Sequence, residues 1–211
     1  MTVVALHGVY GITDPVLLAD DQLLERVEAA LSAGLCLLQY RNKGASASQQ
    51  LRQAKALAAL CQRYDVPLLI NDNVALCAAA GAQGVHLGQS DTTIREARRI
   101  LGPSAIIGCT CHNSARIAQE AQKQGASYVA VGRFFASHTK PGAPQATLDD
   151  LAALRAATDL PLVAIGGINA ENGASLIRGG ADMLAVIHYL FSTPDVAERT
   201  RALKALFQRQ T

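Results

Sequence analysis

The sequence predicts an α/β chain folded as a single (β/α)8 TIM barrel spanning residues 1–211. Three observations carry this reading. Eight short apolar runs alternate with stretches of helical period. The runs lack strict polar alternation, the mark of strands buried on both faces. No Pro-rich or Ser-rich linker divides the chain, whose length sits at the small end for eight such units. An open doubly wound sheet is the competing arrangement, but no GxGxxG follows the first run as its nucleotide fingerprint would.

The elements follow in order. GVYGIT (8–13) opens the set, and the next stretch, DQLLERVEAALSAG, places Leu23, Leu24, Val27, Ala30 and Leu31 on one helical stripe. LCLLQY (35–40) precedes the helical SQQLRQAKALAALCQRY, and PLLIN (67–71) and GVHLG (84–88) come next. AIIGCT (105–110) leads into SARIAQEAQKQG, followed by YVAVGRF (128–134), PLVAIGG (161–167) and MLAVIH (183–188). A weak internal repeat supports the count. SAGLCLLQ, AAGAQGVHLG, KQGASYVAVG and RGGADMLAVI each set glycine after a helix, the expected left-handed stop, with an apolar strand close behind.

Half of the residues are hydrophobic and 17% are charged, which suits many fully buried strands. The net charge of +2 leaves no basic footprint for nucleic acid and no polybasic membrane patch. The five cysteines form no CxxC pair, and Cys109 and Cys111 share one face of a strand. Buried thiols in a reducing compartment are the expectation, rather than a metal or redox centre. The opening MTVVALHGVYGITD lacks the basic segment of a signal peptide, and no run approaches the roughly 20 apolar residues of a membrane span. The expected location is cytoplasmic, and homo-oligomerisation is left open.

Chemistry in such a barrel sits at the C-terminal strand ends. Those ends read QYRNK, ND, GQSD, CTCH, FASHTK, GG and IH from the second run to the eighth, a set suited to anions and a metal. Asp72 and Asp91 stand at adjacent strand ends without an evident local partner, and two bare carboxylates repel. Mg²⁺ resolves this, since it takes one or two carboxylates and completes its shell with water and phosphate. Each aspartate also precedes a helix and so could be an N-cap. Two of them, opposite the cations Arg41, Lys43 and Lys140, favour the metal. Arginine clamps phosphate oxygens through paired bonds and lysine acts as a point charge, so the cluster suggests a substrate with more than one phosphate. Gln39 is the last core-facing group of its strand. A second anion site is expected where Gly166 and Gly167 allow close backbone approach and VIHYLF opens a helix. A tight turn is the plainer reading of the two glycines.

Taken together, GVYGITD, QYRNK, LLINDNVAL, GVHLGQSD, IIGCTCH, VGRFFASHTKPGAP and VAIGGI resemble the thiamine phosphate synthase family, from about Gly8 to Phe191. The resemblance implies a transferase that joins a hydroxymethylpyrimidine diphosphate to a thiazole phosphate, releasing diphosphate, with Mg²⁺ as cofactor. It implies that Gln39, Arg41, Lys43 and Asn71 bind the pyrimidine diphosphate and that Asp72 and Asp91 hold the metal. Thr110 falls where a serine contacts the pyrimidine. Ser137 and Thr139 match hydroxyls on the thiazole phosphate, Lys140 reaches the diphosphate, and Gly167 with the backbone of Ile187 and His188 forms the thiazole-phosphate loop.

The chain departs from the family pattern at Asn42 (usually an acid), at Thr110 (usually Ser) and at His188 (usually Ser). Only the backbone role of His188 therefore carries over. The implied mechanism is dissociative: the CH₂–O bond ionises as Arg41, Lys43, Lys140 and the metal neutralise the departing diphosphate, and the thiazole nitrogen then attacks. No general base is needed, and His112 and His138 are expected to be hydrogen-bonding neighbours. The loop from Ala136 to Gln145 is expected to close over the diphosphate as a lid. The rival readings are a thiazole tautomerase, a phosphosugar isomerase and a non-catalytic phosphate-ligand sensor. The tautomerase needs no diphosphate machinery and the isomerase no metal pair, whereas a sensor would bind both substrates and is told apart by its lack of turnover.

Overall fold

A computed structural model describes residues 6–136 and 144–208. The strands are β1 (Gly8–Ile12), β2 (Leu37–Tyr40), β3 (Leu68–Asn71), β4 (Gly84–Leu87), β5 (Ile106–His112), β6 (Tyr128–Val131), β7 (Leu162–Ile165) and β8 (Met183–Val186). Each falls on one of the apolar runs. Between and after them lie α1 (Leu23–Ala33), α2 (Ala47–Arg63), α3 (Val74–Ala80), α4 (Ile94–Leu101), α5 (Ala115–Lys123), α6 (Leu148–Ala157), α7 (Gly173–Arg178), α8 (His188–Phe191) and α9 (Val196–Gln208). All eight strands pair in parallel and in sequence order, and β8 returns to β1 with Gly8 opposite Met183, closing the barrel. The open-sheet alternative is excluded.

Both faces of the strands are buried because they serve two cores. Alternate residues such as Leu37, Leu69, Tyr128 and Met183 fill the lumen. Their neighbours, including Leu38, Leu68, Val129 and Leu184, pack outward against the helices. A side chain pointing either way leaves water, which contributes about 1.5–3 kcal/mol for each large aliphatic group. That removes the pressure for a polar face and explains the unbroken apolar runs. Cys61, Cys77, Cys109 and Cys111 are buried free thiols in the outer core, as expected, and Cys36 is half-buried.

The helix stripes hold with one correction. In α1, Leu23, Val27, Ala30 and Leu31 are buried, but Leu24 is 42% exposed because it turns past the edge of the stripe toward solvent. Left-handed glycines cap α1 at Gly34 and α3 at Gly81. After α5 and α7 the positive-φ glycine, Gly125 or Gly180, sits one residue beyond the cap. No helix among the described residues is long and apolar enough to cross a membrane.

Candidate active site

The C-terminal mouth of the barrel opens into a cavity of about 620 Å³. Gln39, Arg41, Lys43, Asn71, Asp72, Asp91, Thr110, Gly167, Ile187 and His188 all line it. Ser137, His138, Thr139 and Lys140 lie outside the described residues, as does most of the expected lid.

The β2 end is held by Thr13. Its hydroxyl oxygen accepts from the Arg41 N–H at 2.9 Å, and its O–H donates to the Arg41 carbonyl at 3.3 Å. This double bond fixes the backbone where the chain leaves the barrel and starts Arg41 into the cavity. Asn42 turns the opposite way and donates from Nδ2 to Gln53 Oε1 at 3.2 Å. The departure expected at Asn42 thus falls at a position that does not line the cavity. Lys43 turns back in, and its Nζ lies 2.7 Å from Asp72 Oδ2.

Neither aspartate is a helix cap. Asn73 caps α3, its side chain accepting from the Leu76 N–H, and Thr93 caps α4 through the Glu96 N–H. Asp72 has φ +62°, and its N–H donates to the His86 carbonyl at 2.9 Å, so the chain kinks between strand and cap. Asp91 Oδ2 accepts from the Gly88 N–H at 2.7 Å, folding the GQSD turn onto itself. The expectation of two bare, repelling carboxylates is corrected, because each has a partner. The Asp91 carboxyl lies close enough to Asp72 to act on its ionisation. Burial pushes the Asp72 carboxyl up. The Lys43 hydrogen bond, the Asp91 contact, the Lys43 charge and Asn71 outweigh it and hold the group below the usual aspartate range.

On β5 the register against β6 shifts between Thr110 and His112, and His112 takes φ +53°. Both residues reach the cavity. Beneath them lies a buried polar group that sequence reasoning missed. Gln39 Nε2 donates to Tyr10 Oη, and Tyr10 Oη lies 2.9 Å from Tyr128 Oη. Tyr128 Oη is 2.8 Å from His86 Nδ1, and His86 Nε2 is 2.8 Å from Thr110 Oγ1. Burial raises both phenols far above their ordinary pKa, so they remain neutral. His86 carried a legible signal, being the one polar residue of the run GVHLG. Arg133 also lines the cavity and was missed. It is the one cation within the apolar run YVAVGRF, as His86 is the one polar residue of GVHLG.

At β7 the two glycines are required by packing. Gly166 has φ +107°, and a Cβ there would lie 2.3 Å from Arg133 Cβ. Gly167 has φ +64°, and its Cβ would lie 2.3 Å from the Ala136 carbonyl oxygen. The Phe134 and Phe135 N–H groups donate to the Ile165 and Gly166 carbonyls at 3.1 and 3.0 Å, drawing the loop after β6 over β7. The loop after β6 makes use of the close approach that these glycines allow, and both still line the cavity.

Among the described residues, no group of three or more His, Cys, Asp or Glu could hold a metal ion. Two neighbouring carboxylates with only oxygen to offer suit Mg²⁺, which needs no more from a protein, and do not suit tetrahedral zinc.

The chain is thus a closed parallel (β/α)8 barrel with carboxylates and cations on one side of its mouth and a glycine turn on the other. Residues 9–190 match the family model for thiamine monophosphate synthase, and the chain belongs to that family. It is 52% identical to the thiamine-phosphate synthase of Marinobacter nauticus over 96% of this chain and 91% of that one. Against the thiamine-phosphate synthase of Saccharophagus degradans it is 51% identical, covering 95% and 93%. The solved thiamine phosphate pyrophosphorylase of Pyrococcus furiosus superposes with a TM-score of 0.88 at 32% identity, covering 99% of this chain and 98% of that one.

Proposed function

We propose that this chain is a thiamine phosphate synthase. It couples 4-amino-2-methyl-5-(diphosphooxymethyl)pyrimidine with 4-methyl-5-(2-phosphooxyethyl)thiazole, giving thiamine phosphate and diphosphate. One observation carries the reading beyond family membership: Asp72 and Asp91, neither of them a helix cap, line the same cavity as Gln39 and Thr110, and Asp72 pairs there with Lys43. A tautomerase or a phosphosugar isomerase has no use for that grouping.

Gln39 and Thr110 orient the pyrimidine, and Asn71 sits beside the diphosphate. Asp72 and Asp91 would hold Mg²⁺, which when bound supplies positive charge to the leaving diphosphate. Lys43 pairs with Asp72 at the cavity wall, and with Arg41 it stabilises the charge that develops on the diphosphate as the CH₂–O bond breaks. Lys140 belongs with them by its place in the family motif, and Ser137 and Thr139 with the thiazole phosphate. The backbone of Gly167, Ile187 and His188 receives that phosphate at the opposite side of the mouth. Ile12, Val163 and Ile165 line the cavity between the two sites and keep water from the pyrimidine cation until the thiazole nitrogen attacks it. No residue needs to remove a proton. The test is direct: pure protein, Mg²⁺ and both substrates should release thiamine phosphate and diphosphate in equal amounts. Folded protein that binds both substrates without turnover would make it a sensor.

A further inference from the structure

The barrel lumen holds a cost that packing does not explain. Two tyrosines, a glutamine and a histidine stand where aliphatic side chains would fill the same volume, and each polar group there must find a partner. They find one another in a single file that crosses five strands. The file runs from Gln39 on β2 through Tyr10 on β1, Tyr128 on β6 and His86 on β4 to Thr110 on β5. The fold makes room for its middle member: a Cβ on Gly108 would lie 2.0 Å from the Tyr128 ring. The Tyr128 ring also stacks on His86, with centroids 5.6 Å apart.

Each phenol has one proton, so the direction of the file follows from its first bond. Tyr10 oxygen accepts from the Gln39 amide and must give its own proton to Tyr128. Tyr128 then gives its proton to His86 Nδ1, which leaves the imidazole proton on Nε2 and aimed at Thr110 Oγ1. Thr110 accepts, and its own hydroxyl proton is left for a group in the cavity. At the other end, Gln39 has spent a donor and keeps Oε1 as an acceptor. The reverse direction requires the Gln39 amide to turn over and every proton to move together. Thr110 would then offer only lone pairs and Gln39 only N–H.

We propose that this chain of hydrogen bonds reads the 4-position of the pyrimidine, accepting a 4-amino ring and rejecting its 4-oxo counterpart, with Tyr10, Tyr128 and His86 as positioning residues. This rests on the pyrimidine substrate proposed above. A 4-aminopyrimidine donates from its amino group and accepts at its ring nitrogen, which matches Gln39 Oε1 and the Thr110 O–H. The 4-oxo form, with N–H donor and carbonyl acceptor, presents the opposite pattern. Because the two ends are coupled through the file, neither can adapt alone, and a mismatch meets both contacts at once.

Two measurements test this. In ligand-free protein labelled with ¹⁵N-histidine, the His86 signals, assigned by their loss in His86→Gln, should show the Nε2–H tautomer. Tyr128→Phe should move them to a mixture of tautomers. An Nδ1–H tautomer in the wild type would overturn the direction, and with it the proposal, whatever the substrate. The second measurement is calorimetric binding of the unreactive 5-hydroxymethyl-2-methylpyrimidine monophosphates, 4-amino against 4-oxo. The wild type should prefer the amino compound by at least about tenfold, the worth of one mismatched hydrogen bond. Tyr128→Phe keeps the ring that fills the lumen over Gly108, and should bring the ratio to within about threefold. Gly108→Ala displaces the same ring from the other side and should do likewise. A Tyr128→Phe protein that melts like the wild type, forms thiamine phosphate and keeps the full preference would overturn this inference and leave the enzymatic reading standing. A wild type that binds neither compound, or binds both equally, would overturn this inference, while formation of thiamine phosphate decides the enzymatic reading separately.

Discussion

From β2 to β5 the barrel mouth presents side chains: Lys43, Asp72, Asp91 and Thr110. From β7 to β8 it presents backbone, through Gly166, Gly167, Ile187 and His188. The difference lies in what each side asks of the fold. On the side-chain half, the helix caps are supplied by Asn73 and Thr93, so the aspartates can be changed without unravelling α3 or α4. On the backbone half, a Cβ on either glycine would lie 2.3 Å from an atom of the loop after β6. Function and folding are separable on one side of the mouth and fused on the other.

The largest expected effect tests the first half of that statement. Asp72→Ala and Asp91→Ala should each lower turnover about 100- to 1,000-fold, the usual cost of removing a group that stabilises charge in the transition state. Both should raise the Mg²⁺ concentration needed for half-maximal rate, while melting of the metal-free protein moves only slightly. The double variant should be little worse than either single one, because residues acting as a unit are not additive. Large losses of melting temperature with an unchanged Mg²⁺ requirement would place these aspartates in the fold rather than in the chemistry.

Gly166→Ala should show the converse. Overlap with Arg133 and a forbidden φ should destabilise the protein by about 2–4 kcal/mol, read from denaturant unfolding. Activity per folded molecule should fall too, since the loop after β6 must move. A stable Gly166→Ala protein defective only in its KM for the thiazole phosphate would mean that the two halves are separable after all.

Lys43→Met sharpens the comparison within the side-chain half. The Lys43–Asp72 pair is solvent-exposed on the lysine side, at 58%, so its loss should cost stability at most about 1 kcal/mol. The rate should fall by about 10- to 150-fold, the worth of one charge-assisted bond to the leaving group. The ligand-free variant should also bind Mn²⁺ more tightly, because nothing then competes for Asp72. Unchanged Mn²⁺ affinity would show that Lys43 and the metal do not share that carboxylate.

The smallest effect is expected at Asn42. Placing an acid there, Asn42→Asp, should change kcat and KM by less than about threefold, because a surface change away from the reacting groups is worth about 0.5 kcal/mol or less. A larger gain in kcat would mean that position 42 acts on the cavity despite facing Gln53.

The amino-acid order by itself determined the eight strands and the polar residues that end them. It could do so because strand burial on both faces leaves a local signature, and because a barrel places every strand end at one mouth. That rule alone placed the segments QYRNK, ND and GQSD at one cavity. The order did not decide which aspartate neighbour would cap a helix: Asp72 and Asn73, or Asp91 and Thr93, are equally good caps on paper, and φ +62° at Asp72 settles the first pair only once β3 is docked against β4. Nor did it reveal that Lys43 would find Asp72, or that Arg133 would share their cavity. Least visible was the file from Gln39 to Thr110, whose central bond joins Tyr10 to Tyr128 across 118 residues of sequence. Apolar periodicity is written into each segment separately. A hydrogen bond needs two groups within about 3 Å, and only closing β8 onto β1 brings distant strands that near.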